Sequence, residues 1–410
     1  MKVVELFSGI GAQAKALKKV YGKELDITMT SDWDINAIVA YNLIHCGKSS
    51  QKYSKLDKNQ LLDKLERYTL SKDGKSPTSR KKLSLYNEDF LRVLLNSIDN
   101  TKNKISVTDI KGNDLTDDID LLTYSFPCQD LSTAGAFHGQ KLGIKRGANN
   151  RSGMLWEVER ILLEKKELGG KLPRFLLLEN VTNLNSLANK ESFDEWKQQL
   201  NSLGYVNYVY ILNAIDYGIP QTRKRLLMLS VYDGIGLPNK EKILKKLEEL
   251  RVNNKPSINQ MELKHILKID YTNGQYLSEA LSSQANKTPS RKNIWESNKI
   301  LLNKNGEYAS ASSTITTKQD RHPNSGNVYF CDGDPTKCDY RFLTPRECFL
   351  LMGFSEKDYE KVVSANVKNG DDDFFTTAKL YKLAGNSIVV NVLEKVFSDM
   401  KLLDEYINEF

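Results

Sequence analysis

From residue 2 to 232, short apolar runs of strand type alternate with segments of helical periodicity, and nothing else in the chain narrows its fold as much. The runs are Val3–Phe7, Ile27–Ser31, Leu121–Phe126, Phe175–Leu178, Val206–Leu212 and Leu226–Val231. Between them, Ala12–Val20, Ile35–Ile44 and Leu155–Leu168 carry apolar residues three and four positions apart, with Leu155, Val158, Ile161 and Leu162 on one face. This predicts an α/β fold, a doubly wound and mostly parallel sheet covered on both sides. Residues 48–82 interrupt the rhythm with Ser, Lys, Asn and a Gly74-Lys75-Ser76-Pro77 turn, and read as an insertion or a surface helix. After Pro238 the segment becomes rich in Asn, Ser, Lys and Thr, and helical periodicity returns at Arg341. The expected division is therefore a domain of 1–234 plus 341–410 and a smaller, irregular, β-rich domain of 235–340.

Two domains also suit a chain of 410 residues, longer than one ordinary core. A 40% apolar, 27% charged balance excludes disordered and fibrous classes. No apolar stretch approaches the roughly 20 residues of a membrane span, and Met1-Lys2-Val3-Val4-Glu5 lacks a signal-peptide core. Five cysteines, a sparse and odd number, point to a reducing cytoplasm. The net charge of +7 is unevenly placed. Residues 48–82 hold eleven Lys or Arg against four Asp or Glu; residues 140–151 hold four and none; residues 235–322 hold fifteen and nine. A near-neutral to acidic scaffold with basic surfaces attached is the footprint of a polyanion partner. Solvated helix faces would produce the same runs.

Ligands on such a sheet bind beyond the carboxyl ends of the strands. The first strand ends in Phe7-Ser8-Gly9-Ile10-Gly11 and runs straight into a helix, a turn that lets a ligand approach the backbone. The second ends in Asp32-Trp33, an acid for ribose hydroxyls beside a ring that can stack on a purine. A third strand-like piece ends in Glu88-Asp89-Phe90. Together these predict an adenosine-type ligand, and the absence of a Gly-x-x-x-x-Gly-Lys-Ser/Thr motif argues against a nucleoside triphosphate. The next run enters Ser125-Phe126-Pro127-Cys128-Gln129, the following one ends in Glu179-Asn180-Val181, and Gln221-Thr222-Arg223-Lys224-Arg225 precedes the last. A lone Cys is usually a small buried hydrophobe. With a carboxylate and two guanidinium groups at neighbouring strand ends, a nucleophilic thiolate becomes the stronger reading.

These residues, in this order, resemble the cytosine-C5 DNA methyltransferase family of bacterial restriction-modification type. The resemblance spans most of 2–232 and 341–400. It adds Arg151-Ser152-Gly153-Met154-Leu155-Trp156-Glu157, Asp216-Tyr217-Gly218-Ile219-Pro220, Arg341-Phe342-Leu343-Thr344-Pro345-Arg346-Glu347 and Gly385-Asn386-Ser387 to the motifs above. Ser8 stands where Ala is common and Ala12 where a second Gly is common. The resemblance implies a Rossmann-like methyltransferase fold, S-adenosylmethionine as methyl donor and double-stranded DNA as substrate. Cys128, Glu179, Arg223 and Arg225 would be catalytic. Phe7, Gly9, Gly11, Asp32, Trp33, Asp89, Pro127, Asn386 and Ser387 would hold the cofactor. Gln129, Ser132, Lys141, Arg146, Gln221, Thr314, Thr316, Arg321 and Asn324 would contact DNA. The stretch 130–151, with Gly135, Gly139, Gly143 and Gly147, would close over a base rotated out of the duplex. Residues 235–340 would recognise the target, with Lys318–Gly326 as a base-reading loop. A bacterial or phage cytoplasmic monomer is expected, with a cognate restriction endonuclease as functional partner.

His138, His322, Cys331 and Cys338 do not form a paired metal-ligand pattern, and no metal is expected. Methylation of exocyclic amines is disfavoured because Ser125-Phe126-Pro127-Cys128 stands where an Asp/Asn-Pro-Pro-aromatic motif would be. A nicotinamide oxidoreductase would leave Cys128 and the basic windows unexplained. A tRNA-directed member of the same family and a catalytically silent DNA-binding protein on this fold are the remaining alternatives.

Overall fold

The computed structural model describes residues 1–47, 52–127, 144, 146, 151–253, 261–365 and 367–409. It divides into two compact units: Met1–Leu212 with Lys224–Pro256 and Leu393–Phe410, and Asn213–Arg223 with Ser257–Val392.

The six apolar runs form one sheet: β1 (Lys2–Leu6), β2 (Asp26–Ser31), β3 (Leu121–Tyr124), β4 (Phe175–Val181), β5 (Tyr205–Asn213) and β6 (Lys224–Tyr232). Their order is β2-β1-β3-β4-β6-β5. β1 pairs in parallel with β2 and β3, β3 with β4, and β6 runs antiparallel to β4. Phe175 to Leu178 are wholly buried, as continuous apolar runs require in a strand covered on both faces. Helices α1 (Ala12–Tyr21) and α2 (Ile35–Tyr41) follow β1 and β2, and α2 continues into one turn of π-helix over Asn42–Cys46. Trp196 is fully buried in a cluster with Tyr124, Val158, Ile161, Leu176 and Leu178. Its ring meets those of Tyr124 and Trp156 edge-on, each at 6.0 Å.

Residues 52–82 of the interruption are built into the first unit. Helix α3 (Lys58–Leu65) opens with a capping box of Asp57 and Gln60 and buries Leu61, Leu62 and Leu65; α4 (Arg80–Leu83) is capped by Ser79.

Glu88-Asp89-Phe90 is not a strand end. It opens helix α5 (Glu88–Asn100), with the Asn87 side chain accepting from the Phe90 amide and both acids in the first turn, where they complement the helix dipole. The buried Phe90, Leu91, Leu94, Leu95 and Ile98 belong to the amphipathic face of that helix. The backbone that flanks β2 lies later: Thr30 bridges Asn103 in parallel, Thr30 N donating to Lys102 O and Lys104 N to Thr30 O.

In the second unit, β7 (Gln284–Asn286), β8 (Ile300–Leu302), β9 (Asn327–Tyr329) and β10 (Lys337–Phe342) form a small sheet in the order β7-β10-β9-β8. Helices are more prominent between 261 and 340 than the irregular composition predicts, among them Gly274–Ser282 and Pro289–Ser297. The chain returns to the first unit at Leu393, later than the expected 341. The cause is packing. The Arg341 guanidinium bonds both oxygens of Glu347, and the buried Arg346 bonds Glu279 and Glu356, which ties the segment after β10 to its own unit.

Candidate active site

The turn after β1 has the backbone that the Gly-x-Gly pattern predicts. Phe7, Gly9 and Gly11 have φ of 57°, 54° and 78°. For Phe7 that region is strained, and strain of this kind gathers at functional sites. A Cβ at Gly9 would meet nothing within 4 Å, so open space lies above it. At Gly11 a Cβ would lie 2.3 Å from His45 Nε2. His45 reaches the turn because the π-helical turn after α2 carries it there, and its Nε2 lies 3.0 Å from the Ile10 carbonyl.

The Asp32 carboxylate accepts from Gly9 N at 2.9 Å and from Asp34 N at 2.9 Å, which joins the ends of β1 and β2. Two residues that no local pattern flags hold this end in place. Asn103 accepts from Asp32 N and Ile105 N and donates to Asp32 O. The buried Ser71 donates its N–H to Trp33 O at 2.7 Å and accepts from Ile35 N. A glycine cradle with open space, a half-buried carboxylate and the half-buried Trp33 fit an adenosine-bearing ligand. Asp89 does not join them: its side chain is 88% exposed and pairs with Arg92.

Beneath the turn, burial pushes the Glu5 carboxyl up to about 7, against the opposing hydrogen bonds of the Tyr41 hydroxyl and the Ala14 amide. The folded chain then binds a proton that the unfolded chain releases near its ordinary value, so Glu5 lowers stability as pH rises from about 4.5 to 7. Glu5→Gln is expected to remove that slope and to stabilise the protein at pH 8 by up to about 3 kcal/mol, read from denaturant midpoints at pH 5 and 8.

β3 leads into Ser125-Phe126-Pro127. Ser125 Oγ donates to Phe7 O, and Asn180 Nδ2 to Phe126 O at 3.1 Å, so the turn is tied to β1 and β4. Cys128, Gln129, Ser132 and Lys141 lie outside the described residues. On β4, alternation sends Glu179 to the face opposite Asn180. Val181 pairs with Arg225 and Glu179 with Leu227, which makes Glu179 and Arg225 diagonal neighbours across antiparallel strands. Arg225 Nε lies 3.3 Å from Glu179 Oε1, with the side chains only 17% and 10% exposed.

Other expected site residues stand elsewhere. Arg223 is buried and donates to the carbonyls of Ile315, Gly385 and Ser387, so it is a strut under the C-terminal end of the helix Thr377–Asn386. Gln221 is fully buried, its side chain bonding Leu351 O and Ile315 N. Asn324 is also buried; its amide donates to Gln319 O and Asn327 Oδ1 and accepts from Gly326 N, so it shapes a turn. Arg146 is committed to Glu159 and Glu195 and stacks 3.9 Å over Trp156, while Ile144 O accepts from Trp156 Nε1. Both Glu159 and Trp156 stand on the helix Leu155–Glu167. Thr314 donates to Thr222 O, Thr316 to Lys318 O, and Arg321 is exposed. Asn386 is exposed and Ser387 buried; both belong to the second unit. Gly385 packs so closely that a Cβ would lie 2.5 Å from the Thr316–Thr317 backbone.

Residues 83–402 match the model of the C-5 cytosine-specific DNA methylase family. The chain belongs to that family. It is similar to orphan methyltransferase M.SssI of Spiroplasma monobiae, 35% identical over 97% of this chain and 96% of the relative. Type II methyltransferase M2.ScrFI of Lactococcus lactis subsp. cremoris is 30% identical over 98% and 99%, and M.HhaI of Haemophilus parahaemolyticus 27% over 68% and 75%. The fold is also that of the S. pombe Dnmt2 methyltransferase, with a TM-score of 0.59 at 20% identity over 100% of this chain and 99% of that one. The protein is thus a DNA (cytosine-5-)-methyltransferase with a mostly parallel methyltransferase sheet. Among the described residues no helix is long and apolar enough to cross a membrane, and no His, Cys, Asp and Glu residues cluster as a metal site.

Proposed function

We propose that the protein methylates C5 of a cytosine rotated out of duplex DNA, with Cys128 as nucleophile. The observation that carries this is the Glu179–Arg225 pair on neighbouring strands, beside the tied Ser125–Pro127 turn that leads into Cys128. A proton shared between Glu179 and cytosine N3 would hold N3, and Arg225 would donate to O2, the two side chains exchanging their mutual contact for contacts with the base. Drawing density toward N3 and O2 makes C6 electrophilic. The Cys128 thiolate forms a bond to C6, and the C5–C6 π pair moves onto C5. Gly9, Gly11, Asp32 and Trp33 would hold S-adenosylmethionine, whose sulfonium would supply an electrophilic methyl to C5. Loss of the C5 proton to a base then restores the double bond and expels the thiolate. The 130–151 stretch would cover the base, and Arg146, through Glu159 and Trp156, would anchor one end of it.

The recognised word is expected to be short. Protection against a restriction endonuclease is supported by the type II names of M2.ScrFI and M.HhaI; M.SssI, named an orphan enzyme, supports a solitary role. The test is incubation with methyl donor and unmethylated DNA, followed by bisulfite mapping, with tRNA in a parallel reaction. Methylcytosine at one short DNA word is the expected result. Transfer to tRNA alone, or none at C5, would overturn the proposal.

A further inference from the structure

The insertion at 48–82 carries the whole chain's net charge and belongs to none of the motifs above. Its carboxylates are all engaged within the insertion. Asp57 caps α3 through Gln60 N, and Asp63 and Glu66 both take Arg80. Asp73 accepts from the amides of Lys75 and Ser76 and from Ser71 Oγ. The neighbouring α5 offers no spare acid at this point, because Asp99 holds Lys52 and Tyr53, while Glu88 and Asp89 hold Arg92. Lys55, Arg67, Lys75, Lys81 and Lys82 are exposed and have no ion-pair partner among the described residues. In a merely solubilising surface, cations and acids are interspersed and pair, as Arg251 and Glu248 do elsewhere in this unit.

These cations also stand on a folded platform. Leu61, Leu62, Leu65 and Leu70 are buried, and Ser71 is stitched by two backbone bonds to Trp33 and Ile35 at the carboxyl end of β2. The insertion therefore rises from the same edge of the sheet as Gly9 and Asp32. Fixed, uncompensated positive charge suits a regular polyanion, because counterions released from it drive association without ordering the protein.

We propose that the insertion is a sequence-independent docking surface for the phosphate backbone of duplex DNA flanking the methylated site. This rests on the reading that duplex DNA is the substrate. The test compares the unaltered chain with a variant carrying Lys55→Gln, Arg67→Gln, Lys75→Gln, Lys81→Gln and Lys82→Gln, and with a charge-retaining variant in which Lys and Arg are exchanged at those positions. Two duplexes share one methylated word, a short one of about one helical turn and a long one of about five. The unaltered chain should bind the long duplex more tightly. The Gln variant should lose that advantage, with affinity down about tenfold or more and the logarithmic salt slope reduced by up to about 4.5, since each of the five lost phosphate contacts removes about 0.9. Its kcat on the short duplex, its methylated cytosines and its unfolding midpoint should stay unchanged, and the charge-retaining variant should behave like the unaltered chain.

An unchanged length advantage and salt slope overturn the proposal. So does weakened binding to polyglutamate with DNA binding intact, which would mark a surface for acidic protein. A shift in the methylated word would show base reading and also overturn it. Failure of the unaltered chain to methylate the short duplex overturns instead the functional reading beneath.

Discussion

Cys128→Ala is expected to abolish methyl transfer, lowering kcat by about 10⁴–10⁶, the range lost when an enzyme's nucleophile is removed. The size follows from the chemistry. Cytosine C5 is not nucleophilic enough to attack a sulfonium methyl until a thiolate on C6 has moved the ring's electron pair onto C5. Hydrogen bonds from Glu179 and Arg225 raise the susceptibility of C6 but cannot replace that bond. Binding should survive, because the groups expected to hold donor and base are elsewhere: Gly9 and Asp32 at two strand ends, Glu179 and Arg225 at two others. The assay is transfer of labelled methyl together with DNA affinity. A duplex with 5-fluorocytosine at the target adds a second readout, since fluorine cannot leave as a cation and the adduct stays joined. The unaltered chain should give a denaturation-resistant complex with that duplex and the Ala variant none. Equal activity in the Ala variant would remove Cys128 from the mechanism.

The largest expected loss of stability is at Glu347. Its carboxylate takes both terminal nitrogens of Arg341 at 2.8 Å, the Thr344 amide as part of a capping box, and the Lys268 amide. Arg341 and Glu347 are both fully buried. Glu347→Ala would leave a buried guanidinium without its counter-charge and the Thr344 and Lys268 amides without their acceptor, a change that costs about 3–5 kcal/mol. Glu347→Gln keeps the shape and one acceptor and should cost less. Denaturant unfolding followed through Trp295, which stacks on Tyr340 in the same unit, should show an earlier midpoint with an unchanged slope. A shift of less than about 1 kcal/mol would mean that the site relaxes around the loss.

What could be read in the sequence was whatever depends on neighbours along the chain. Each of the six apolar runs became a strand, because a run of apolar, strand-forming residues bounded by turn signals reports burial locally. The Gly9-Ile10-Gly11 turn was legible for a similar reason, since its backbone conformation is a property of those residues. Glu88-Asp89 misled for a local reason too. A short apolar run beside acids suits a strand end or a helix start, and the Asn87 cap decides for the helix.

The succession of strand-end residues along the chain, from Gly-x-Gly through Asp32-Trp33 and Phe126-Pro127 to Glu179 and Arg225, was thus set by the sequence alone. Only the tertiary structure decided which polar side chains face a ligand and which face the protein. Arg223, Gln221 and Asn324 carry the same donors as any base-reading residue. They became struts because folding brought carbonyls of Ile315, Leu351 and Gln319 within about 3 Å of them. Asn103 and Ser71 became supports of the Asp32-Trp33 turn by the same kind of long-range encounter. A hydrogen bond is directional and short, so its partner is set by distance in space, and distance in sequence does not encode it.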